Sequence, residues 1–493
     1  MSAGDGCNFA TDLLDAAAGH MTGVFLTDDD GTTLTYGAFF DRVRRFAGVL
    51  VAAGATPGDR IVVQVEKSPD AVVLYVACLW AGAVHVPLNP GFTADERSFF
   101  VEDSLPSVVV VDPAHATDPT WLTLAPDGSG SVRDRSEEIS PLIAPVSRHN
   151  GDLAAILYTS GTTGRPKGAA LTHESLRANA RSLHGAWHFS AADRLVHGLP
   201  IFHVHGLFVA LHCAMLSAIP VRFHRRFDAD AVIDDLADAT VFMGVPTHYR
   251  RLCANDRLTP EVCASMRLFT CGSAPLSEAA FDDFTARSGH RICERYGMSE
   301  TGITISNPYD GDRIAGSIGY ALPGVETRIV DEDGHELGPD TVGIVAIRSR
   351  QIMREYWGRP DATATAFTAD GWFITGDVGA MAADGRITLQ GRASDMIISG
   401  GENVYPKEIE LVLDEIPGIM ESAVIGVPEP DFGEQVLAVL VCTDDHVDQA
   451  TIQPALDASL ARFKHPRRYE YVDELPRNTM GKVQKNALRQ RYG

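Results

Sequence analysis

Residues 158–168 read YTSGTTGRPKG and follow an apolar, strand-like run, LAAIL (153–157). The segment contains three glycines, several hydroxyl side chains and Lys167. Such a loop turns backbone N–H groups and hydroxyls toward one point, and the lysine adds a positive charge, which together hold nucleotide phosphates. It is not a P-loop, because the lysine precedes the last glycine and no Ser or Thr follows. The segment predicts a phosphate-binding loop of another kind, with a plain surface loop as the alternative.

Strand-like and helix-like segments alternate on both sides of this loop. RIVVQV (60–65) and SVVVVD (107–112) predict strands, with a helix through AVVLYVACLWAGA (71–83) between them. Further strands are predicted at LAAILYT (153–159), ATVFMGVP (239–246) and MRLFTCG (266–272). This alternation favours parallel sheets covered by helices, which bind ligands in loops at the carboxyl ends of their strands.

Two parts of the chain depart from this alternation. Residues 113–152 contain five prolines and predict a long irregular connection. Near residues 391–395 the pattern restarts, and the 99 residues from 395 to 493 suffice for a small domain. A helix is predicted to begin at Pro406, and strands are predicted at SAVIGVP (422–428) and QVLAVLVCT (435–443).

Length and composition restrict the class of protein. A chain of 493 residues exceeds one ordinary core, so we expect two or more domains. Hydrophobic residues make up 45% and charged residues 22%, as in soluble globular proteins. No apolar run approaches the roughly 20 residues that cross a membrane, and the first residues lack the regions of a secretory signal. Eight cysteines without a CxxC pair predict free thiols in a reducing compartment, so we expect a cytoplasmic protein.

The chain is strongly acidic, with a formal net charge of −23 at pH 7. This charge argues against nucleic acid or an anionic membrane as a partner. Anionic small molecules would then need local clusters of positive charge in order to bind. The sequence indicates no oligomeric state.

Together with the phosphate loop, four further segments in a fixed order resemble the adenylate-forming enzymes, which include acyl-CoA synthetases, firefly luciferase and the adenylation domains of peptide synthetases. The resemblance covers nearly the whole chain, and within the family FHVHG (202–206), ERYGMSET and PRNTMGKVQK look most like malonyl-CoA synthetases. The four segments are GAVHVPLNP (82–90), ERYGMSET (294–301), GWFITGD (371–377) with GRASD (391–395) behind it, and PRNTMGKVQK (476–485).

The resemblance implies an α/β fold in two parts with the active site between them. Residues 1–391 would form a large N-terminal adenylation region of parallel-sheet subdomains with covering helices. Residues 392–394 would be a hinge, and residues 395–493 a small mobile α+β C-terminal domain that carries the catalytic lysine. Relatives usually have Asp or Lys where this hinge has Ser394, which leaves the relative stability of the two domain poses open.

The resemblance also implies ATP and CoA as co-substrates and Mg²⁺ as the metal. Forming an acyl adenylate joins two anions, so catalysis needs positioning, cations and a divalent metal more than a general base. Glu300 and Thr159 would bind Mg²⁺, which prefers oxygen ligands. Lys482 would reach the carboxylate and the α-phosphate, and Lys482, Glu300 and His203 are the expected catalytic residues.

The nucleotide would be held by residues from several motifs. Tyr296 would stack on adenine, Asp377 would bind both ribose hydroxyls, and Arg392 would contact the ribose or a phosphate. The nucleotide-binding set that the resemblance implies is Thr159, Ser160, Gly161, Thr162, Thr163, Gly164, Lys167, Tyr296, Ser299, Asp377 and Arg392.

The acyl group is predicted chiefly from Arg295. Many relatives have Gly at this position, which faces the acyl pocket in the family. A guanidinium at a pocket wall is costly without an anionic partner, and the second carboxylate of malonate would supply one. Methylmalonate is the second candidate, because Val204 and Ile303 would contact its methyl group. His203 and Ser273 complete the acyl set.

Several alternatives stay open. One alternative is that Arg295 pairs with a nearby acid such as Glu294 and does not contact the substrate. If FHVHG is extended, His203 and His205 share one face, and such an HxH pair is a metal motif. No third ligand is apparent, and the alternative for His205 is a packed histidine. The function alternatives are a CoA ligase for another small or medium-chain acid and a catalytically silent nucleotide or acyl-CoA sensor. Free CoA is favoured over a carrier protein as acceptor, since no carrier domain is attached.

Overall fold

The computed structural model describes residues 8–159, 166–399, 402–429, 433–443, 447–477 and 482–493. It contains two large sheets, a smaller third sheet and the helices that cover them. The helices are α1 (Phe9–Ala17), α2 (Tyr36–Ala52), α3 (Pro69–Trp80), α4 (Ala94–Ser104), α5 (Ser131–Glu138), α6 (His173–Ala186), α7 (His212–Leu216), α8 (Ala229–Leu236), α9 (Pro246–Cys253), α10 (Glu278–Ser288), α11 (Pro360–Ala366), α12 (Pro406–Asp414), α13 (Gln449–Ser459) and α14 (Lys485–Tyr492).

A π-helical segment, His205–Leu211, runs directly into α7. The strands are β1 (Val24–Asp28), β2 (Thr33–Thr35), β3 (Arg60–Gln64), β4 (Val84–Pro87), β5 (Val108–Val111), β6 (Leu122–Thr123), β7 (Leu153–Thr159), β8 (Lys167–Thr172), β9 (Leu195–His197), β10 (Val221–Phe223), β11 (Val241–Gly244), β12 (Leu268–Cys271), β13 (Cys293–Met298), β14 (Gly302–Ser306), β15 (Ser317–Ala321), β16 (Val325–Val330), β17 (Gly343–Ser349), β18 (Glu355–Tyr356), β19 (Phe373–Met381), β20 (Ile387–Arg392), β21 (Ile397–Ser399), β22 (Glu402–Val404), β23 (Ile419–Glu429), β24 (Gly433–Cys442) and β25 (Arg468–Tyr471).

The largest sheet joins 13 strands in the order β16-β17-β19-β20-β15-β14-β13-β12-β11-β9-β10-β1-β2. The run from β13 to β1 is parallel, and antiparallel strands extend it at both ends. Valine, leucine and phenylalanine fill these strands, which are buried as expected for a parallel sheet between helices. Their carboxyl ends therefore meet along one edge.

The second sheet has seven strands in the order β18-β8-β7-β4-β3-β5-β6. Strands β7, β4, β3, β5 and β6 are parallel, and β8 and β18 add antiparallel edges. One large apolar cluster, which includes α1, α2 and the fully buried α3, packs against both sheets. Helix α3 begins with Ser68 as its N-cap and Pro69 in its first turn, a standard helix start.

The last part of the chain has its own sheet and core. Strands β22, β21, β24 and β23 are adjacent in that order, and β25 pairs with β24 in parallel. Helices α12 and α13 contribute to an apolar cluster on one side of this sheet, and α14 contributes to another. Helix α12 begins at Pro406, as the sequence predicts.

The expected α/β class, with a large sheet-containing part and a small C-terminal part, is confirmed. The prediction of an irregular connection over residues 113–152 is wrong in detail, because strand β6 and helix α5 lie inside it. The prolines lie outside α5 rather than within it, and Val132 and Ser136 bury one face of that helix. Within the described residues, no helix combines the length and apolar character that a bilayer crossing requires.

Candidate active site

Several predicted site residues gather where adjacent parallel strands of the large sheet end. His203 follows β9, Ser273 follows β12, and Arg295 and Tyr296 lie within β13. His248, which the sequence analysis did not single out, lies in the first turn of α9 just after β11. Since β9, β11, β12 and β13 are neighbours, the fold brings these side chains to one edge, the usual ligand position in an α/β sheet.

The predicted phosphate loop connects β7 and β8, which form an antiparallel pair. Thr159 and Lys167 are register partners at its base, and the Thr159 hydroxyl donates to the Lys167 carbonyl at 3.3 Å. The Lys167 Nζ lies 5.2 Å from the centroid of the Tyr356 ring, a cation–π contact. Five predicted nucleotide-binding residues lie outside the described residues: Ser160, Gly161, Thr162, Thr163 and Gly164.

Glu300 is buried, with 5% of its surface exposed. Its Oε1 accepts a hydrogen bond of 2.9 Å from the Tyr356 hydroxyl, so one tyrosine contacts both Glu300 and Lys167. Burial raises the pKa of Glu300, while Arg392 and Lys482 act in the opposite direction. A buried carboxylate with this desolvation cost suits a hard divalent cation, which would offset the cost. The oxygen donors of Glu300 and Thr159 therefore fit Mg²⁺ chemistry.

Asp377 is held from three directions. Its Oδ2 accepts from the Tyr296 hydroxyl at 2.5 Å, and its Oδ1 lies 3.0 Å from the Arg392 Nε. The Thr375 hydroxyl accepts from the Asp377 backbone N–H at 3.0 Å. Asp377 and Arg392 are also register partners on β19 and β20. The structure thus brings together three residues that the sequence analysis assigned to the nucleotide.

Lys482 comes from the small C-terminal part but interacts with charges of the large part. Residue 482 is exposed, and the charges of Arg392, Asp377, Glu300 and Arg295 act on its ammonium group. Desolvation, and then the charge of Arg392, lower the pKa of Lys482, while Asp377 and Glu300 raise it. Lys482 and burial together lower the pKa of His203 to about 3. The expected catalytic residues therefore share one electrostatic environment.

Three basic residues close to Lys482 in sequence form ion pairs. Lys485 Nζ lies 2.6 Å from Glu410, Arg489 Nη2 lies 3.2 Å from Asp395, and Arg477 pairs with Glu421. These contacts stay within the C-terminal part and stabilise its structure. Ser394 is exposed in the short helical turn Ala393–Asp395, beside that Arg489 contact.

Arg295 is almost completely buried, with 3% of its surface exposed. Its Nε and Nη2 have no hydrogen-bond partner anywhere in the described chain. The guanidinium lies against Gly272, where an added Cβ would come within 2.5 Å of Nη1. Burial lowers the pKa of Arg295 to about 10, so the group remains a cation at neutral pH. A buried cation in this state demands an anion.

The alternative, an Arg295–Glu294 pair, is not formed among the described residues. The two residues are neighbours on β13, whose successive side chains face opposite ways. Glu294 Oε1 instead accepts a long 3.4 Å bond from the Leu276 backbone N–H, and its Oε2 has no partner among the described residues. Burial raises the pKa of Glu294 to about 7.

FHVHG is not extended, so the condition under which His203 and His205 would share one strand face is not met. Residues 201–202 form a turn, His203 lies in a bend, Val204 is helical and His205 begins the π-helical segment, and the Leu207 N–H donates to the His203 carbonyl at 3.0 Å. His203 and His205 therefore do not alternate as on a strand. Val204 packs against the main core and Ile303 lies fully within it, while Ser273 and Ser299 are half-buried. Ser273 adopts φ 71°, a strained conformation typical of functional loops.

Lys67, His197 and His224 form a buried hydrogen-bond network that the sequence did not predict. Lys67 Nζ contacts His197 Nδ1 at 2.8 Å and donates to the carbonyls of His197 and His224 at 3.0 and 2.5 Å. The other His197 nitrogen contacts the Gly206 carbonyl at 3.0 Å. Nothing in the sequence pointed to Lys67, because a lysine before a helix cap is ordinarily solvated.

The chain matches two family models. Residues 13–357 match the model for "AMP-binding enzyme", and residues 408–482 match "AMP-binding enzyme C-terminal domain". The first match covers more than half of the chain, which therefore belongs to the AMP-binding, adenylate-forming enzyme family. It is an adenylate-forming acid–CoA ligase, whose substrates are a small-molecule acid, ATP and CoA.

Within the family, the chain is similar to malonyl-CoA synthetases. It is 45% identical to the crystal structure of ATP-bound MatB from Rhodopseudomonas palustris, with a TM-score of 0.95 and 99% of each chain covered. The apo crystal structure of the same MatB gives a TM-score of 0.85 at the same identity and coverage. The malonate–CoA ligase of Arabidopsis thaliana is 32% identical, over 98% of this chain and 85% of its own length. A feruloyl-CoA synthase from Amycolatopsis is 35% identical, over 94% of this chain and 95% of its own length.

Proposed function

We propose that this ligase activates malonate, with methylmalonate as the second candidate, as an acyl adenylate and transfers the acyl group to CoA. In the first half-reaction a carboxylate oxygen attacks the α-phosphorus of ATP and pyrophosphate leaves. In the second, the CoA sulfur replaces AMP at the acyl carbon. The product is malonyl-CoA, and free CoA is the acceptor.

The observation that carries this proposal is the buried, unpartnered guanidinium of Arg295. An anion that enters the pocket would meet a desolvated cation with free N–H donors, and a bidentate carboxylate matches that geometry. A monocarboxylate has no second anionic group, since its own carboxylate must reach ATP. A short dicarboxylate therefore fits the pocket better than acetate or butyrate.

Overall similarity alone does not select the acid. The feruloyl-CoA synthase is at least as similar in sequence as the malonate–CoA ligase of Arabidopsis thaliana. The 45% identity to MatB favours malonate, and the side chain at residue 295 gives that preference a physical cause. A ligase for another small or medium-chain acid remains the alternative function.

We assign the nucleotide to the residues around Asp377. Asp377 would exchange its bonds to Tyr296 and Arg392 for the ribose hydroxyls, and Tyr296 would present its ring to adenine. Lys167 would neutralise phosphate charge, and Lys482 would stabilise the charge that develops between the carboxylate and the α-phosphate. Ser299 and the loop between Thr159 and Lys167 complete this set.

Glu300 and Thr159 would hold Mg²⁺ beside the phosphates. When bound, the metal supplies positive charge to phosphate oxygens during adenylation. The chain itself orients the carboxylate, because Tyr356 donates to Glu300 and buries it. Lys167 contacts the ring of the same tyrosine. The lysine ammonium and the Mg²⁺ held by Glu300 would therefore be positioned relative to each other by Tyr356.

Residues 392–394 would be the hinge between a large region, 1–391, and a small domain, 395–493. The chain resembles ATP-bound MatB more closely than apo MatB, which supports an adenylation pose with Lys482 in the cleft. Rotation about the hinge would then replace Lys482 by CoA for the second half-reaction.

The test of the malonate proposal is substitution of Arg295. Wild-type protein should use malonate far better than acetate or butyrate, and Arg295→Gly should lose about 10²-fold or more of its malonate activity, as expected for a lost charge-assisted pair. Arg295→Gly should also gain activity on uncharged acids, because space opens and the buried charge is removed. The measurement is ATP–pyrophosphate exchange with malonate, methylmalonate, acetate and butyrate.

Two further variants separate charge from volume and from surface effects. Arg295→Met fills the space without a charge. It should therefore lose exchange activity with malonate and gain none with larger acids. Arg291→Ala removes an exposed arginine close to Arg295 in sequence. It should change neither the activity on malonate nor the activity on larger acids. A wild type that prefers butyrate, or an Arg295→Gly protein with unchanged malonate activity, would end the dicarboxylate proposal. A protein that catalyses no exchange with any acid would instead be the silent sensor.

Tyr356→Phe tests the orientation of Glu300. The variant keeps the ring near Lys167 but removes the hydroxyl that donates to Glu300 Oε1. Adenylation should fall about 10-fold, in line with one hydrogen bond to a charged group. The Mg²⁺ concentration for half-maximal exchange should rise as well. An unchanged Mg²⁺ dependence would show that Tyr356 does not act through the metal site.

A further inference from the structure

Asp103, near the end of α4, contacts two separate parts of the chain. Its side chain is only 9% exposed. Its Oδ2 accepts a hydrogen bond of 2.6 Å from the Tyr158 hydroxyl, and its Oδ1 accepts from the Arg359 guanidinium. Its backbone carbonyl accepts from the Trp357 Nε1–H at 3.1 Å. This one residue therefore joins α4 both to the end of β7 and to the segment 357–359.

The first of these contacts lies at the base of the phosphate loop. Tyr158 and Gly168 are register partners on β7 and β8, at the two ends of the loop motif. The Tyr158 ring packs directly on Gly168, where an added Cβ would come within 3.3 Å of the ring atom Cε1. The Trp357 backbone N–H donates to the Gly168 carbonyl at 2.7 Å. Asp103 therefore reaches one end of the loop through Tyr158 and the other end through Trp357.

The second contact fixes the turn that begins at Tyr356. The Arg359 backbone N–H donates to the Tyr356 carbonyl at 3.0 Å and closes this turn, and the Arg359 side chain is held by Asp103. Tyr356 in turn donates to Glu300 at 2.9 Å and presents its ring to Lys167. The residues proposed to hold Mg²⁺ and phosphate are thus connected, through short chains of contacts, to one carboxylate.

The electrostatics of this carboxylate are unusual for its position. An acid at the C-terminal end of a helix lies at the negative end of the helix dipole, which is unfavourable. Two arginines offset the cost: Arg359 pairs with Asp103, and Arg60 donates to the carbonyl of the last helical residue at 2.8 Å while its guanidinium lies over the Trp357 ring. Burial, and then the hydrogen bond to Asp103, raise the pKa of Tyr158, so its hydroxyl stays protonated and donates. Only an acceptor with two free oxygens can bind this hydroxyl and the guanidinium in the same way.

We propose that Asp103 is a positioning residue for adenylation, which sets the position of the phosphate loop relative to the Glu300 carboxylate. This inference rests on the proposed function, in which the loop and Glu300 hold the phosphates and Mg²⁺. Asp103 touches neither substrate nor metal and acts through Tyr158 and through the turn at Tyr356. A small error in such a separation weakens every contact made across it at once. The effect should be confined to the pyrophosphate portion of ATP.

Three variants test this role. Asp103→Leu keeps a similar size and removes both acceptor oxygens. Tyr158→Phe keeps the ring on Gly168 and removes only the hydroxyl that donates to Asp103. Asp103→Asn can still join both partners, because its amide oxygen accepts from Arg359 and its amide N–H donates to the Tyr158 oxygen. The matched control is Glu102→Ala, which removes the exposed acid next to Asp103 on α4.

The measurement is equilibrium binding of MgATP and of AMP by titration calorimetry, without an acid substrate. The Kd for MgATP should rise at least about 10-fold in Asp103→Leu and in Tyr158→Phe, the effect of losing one hydrogen bond to a charged group. The Kd for AMP should stay within a few-fold, because AMP lacks the pyrophosphate portion. Asp103→Asn should stay within a few-fold of wild type for both ligands, and Glu102→Ala should match wild type.

A double-mutant cycle of Asp103→Leu and Tyr158→Phe should be non-additive for MgATP binding, because both changes remove the same hydrogen bond. Equal weakening of MgATP and AMP would overturn the positioning role and leave Asp103 a purely structural residue. Unchanged MgATP affinity in Tyr158→Phe would overturn it too, even if Asp103→Leu did not fold. Failure of the underlying function looks different, since Glu300→Gln would then leave MgATP binding unchanged.

Discussion

Lys482→Ala should nearly abolish ATP–pyrophosphate exchange while leaving much of the second half-reaction intact. The ammonium group is partly desolvated and is acted on by the charges of Arg392, Asp377 and Glu300, and desolvation strengthens its interaction with developing negative charge. Losing such a group should reduce adenylation by about 10²- to 10³-fold or more. Thioester formation from pre-made malonyl adenylate and CoA should largely survive, since the hinge proposal removes Lys482 from the site during that step.

Lys464→Ala is the matched control. Lys464 belongs to the same C-terminal part, and its Nζ pairs with Glu408 at 2.6 Å. Loss of a partly exposed pair should cost about 1 kcal/mol or less of stability and leave both half-reactions within a few-fold. Equal loss of the two half-reactions in Lys482→Ala would show that this lysine has another task, such as holding the domains together.

Glu300→Gln should reduce overall ligase activity by orders of magnitude. The amide keeps the shape and accepts from Tyr356, but it lacks the charge that would hold Mg²⁺. The thermal stability of the ligand-free variant should not decrease with the activity. Burial raises the folded-state pKa of Glu300, so its ionised form costs stability as the pH rises above the unfolded-state value. The thermal midpoint without ligands at neutral pH should therefore not fall.

Glu294→Gln gives the comparison for Glu300. Glu294 is also buried, with a pKa raised to about 7, and its Oε1 accepts from Leu276. The variant should likewise keep its thermal midpoint at pH 8, above that pKa, where the native carboxylate is ionised. Unlike Glu300→Gln, it should retain exchange activity at ordinary Mg²⁺ concentrations. Normal turnover in Glu300→Gln would remove that residue from the metal site.

The strands and the helix at Pro406 could be predicted because their signals are local. LAAILYT is observed as a strand over its full predicted length, and α12 begins at its proline. Helix α5 could not be predicted by the same reasoning, because nearby prolines dominate the composition of that region although none lies within the helix. The conformation of FHVHG was left open by the sequence, because a π-helical segment has no short-range sequence signature.

The contacts that give the site its chemistry were beyond local patterns. Lys67 and His197 are separated by 130 residues, and Tyr356 and Glu300 by 56. The sequence supports a charged Arg295 at the acyl pocket, but only the fold reveals that its guanidinium lacks a carboxylate partner among the described residues. Whether Glu294 neutralises Arg295 depends on the directions in which the two side chains leave β13, and the sequence alone does not show these.

The four neighbouring strands β9, β11, β12 and β13, which lead to the proposed acyl pocket, have a consequence for how such ligases diversify. Arg295 lies in β13, and His203, His248 and Ser273 follow β9, β11 and β12, while the cores around those strands are apolar. An exchange of one side chain at an end leaves the ladder hydrogen bonds and the core untouched. A lineage can therefore adopt a new acid by a few point substitutions on an unchanged scaffold, and laboratory evolution of this chain should find its useful changes at those same strand ends.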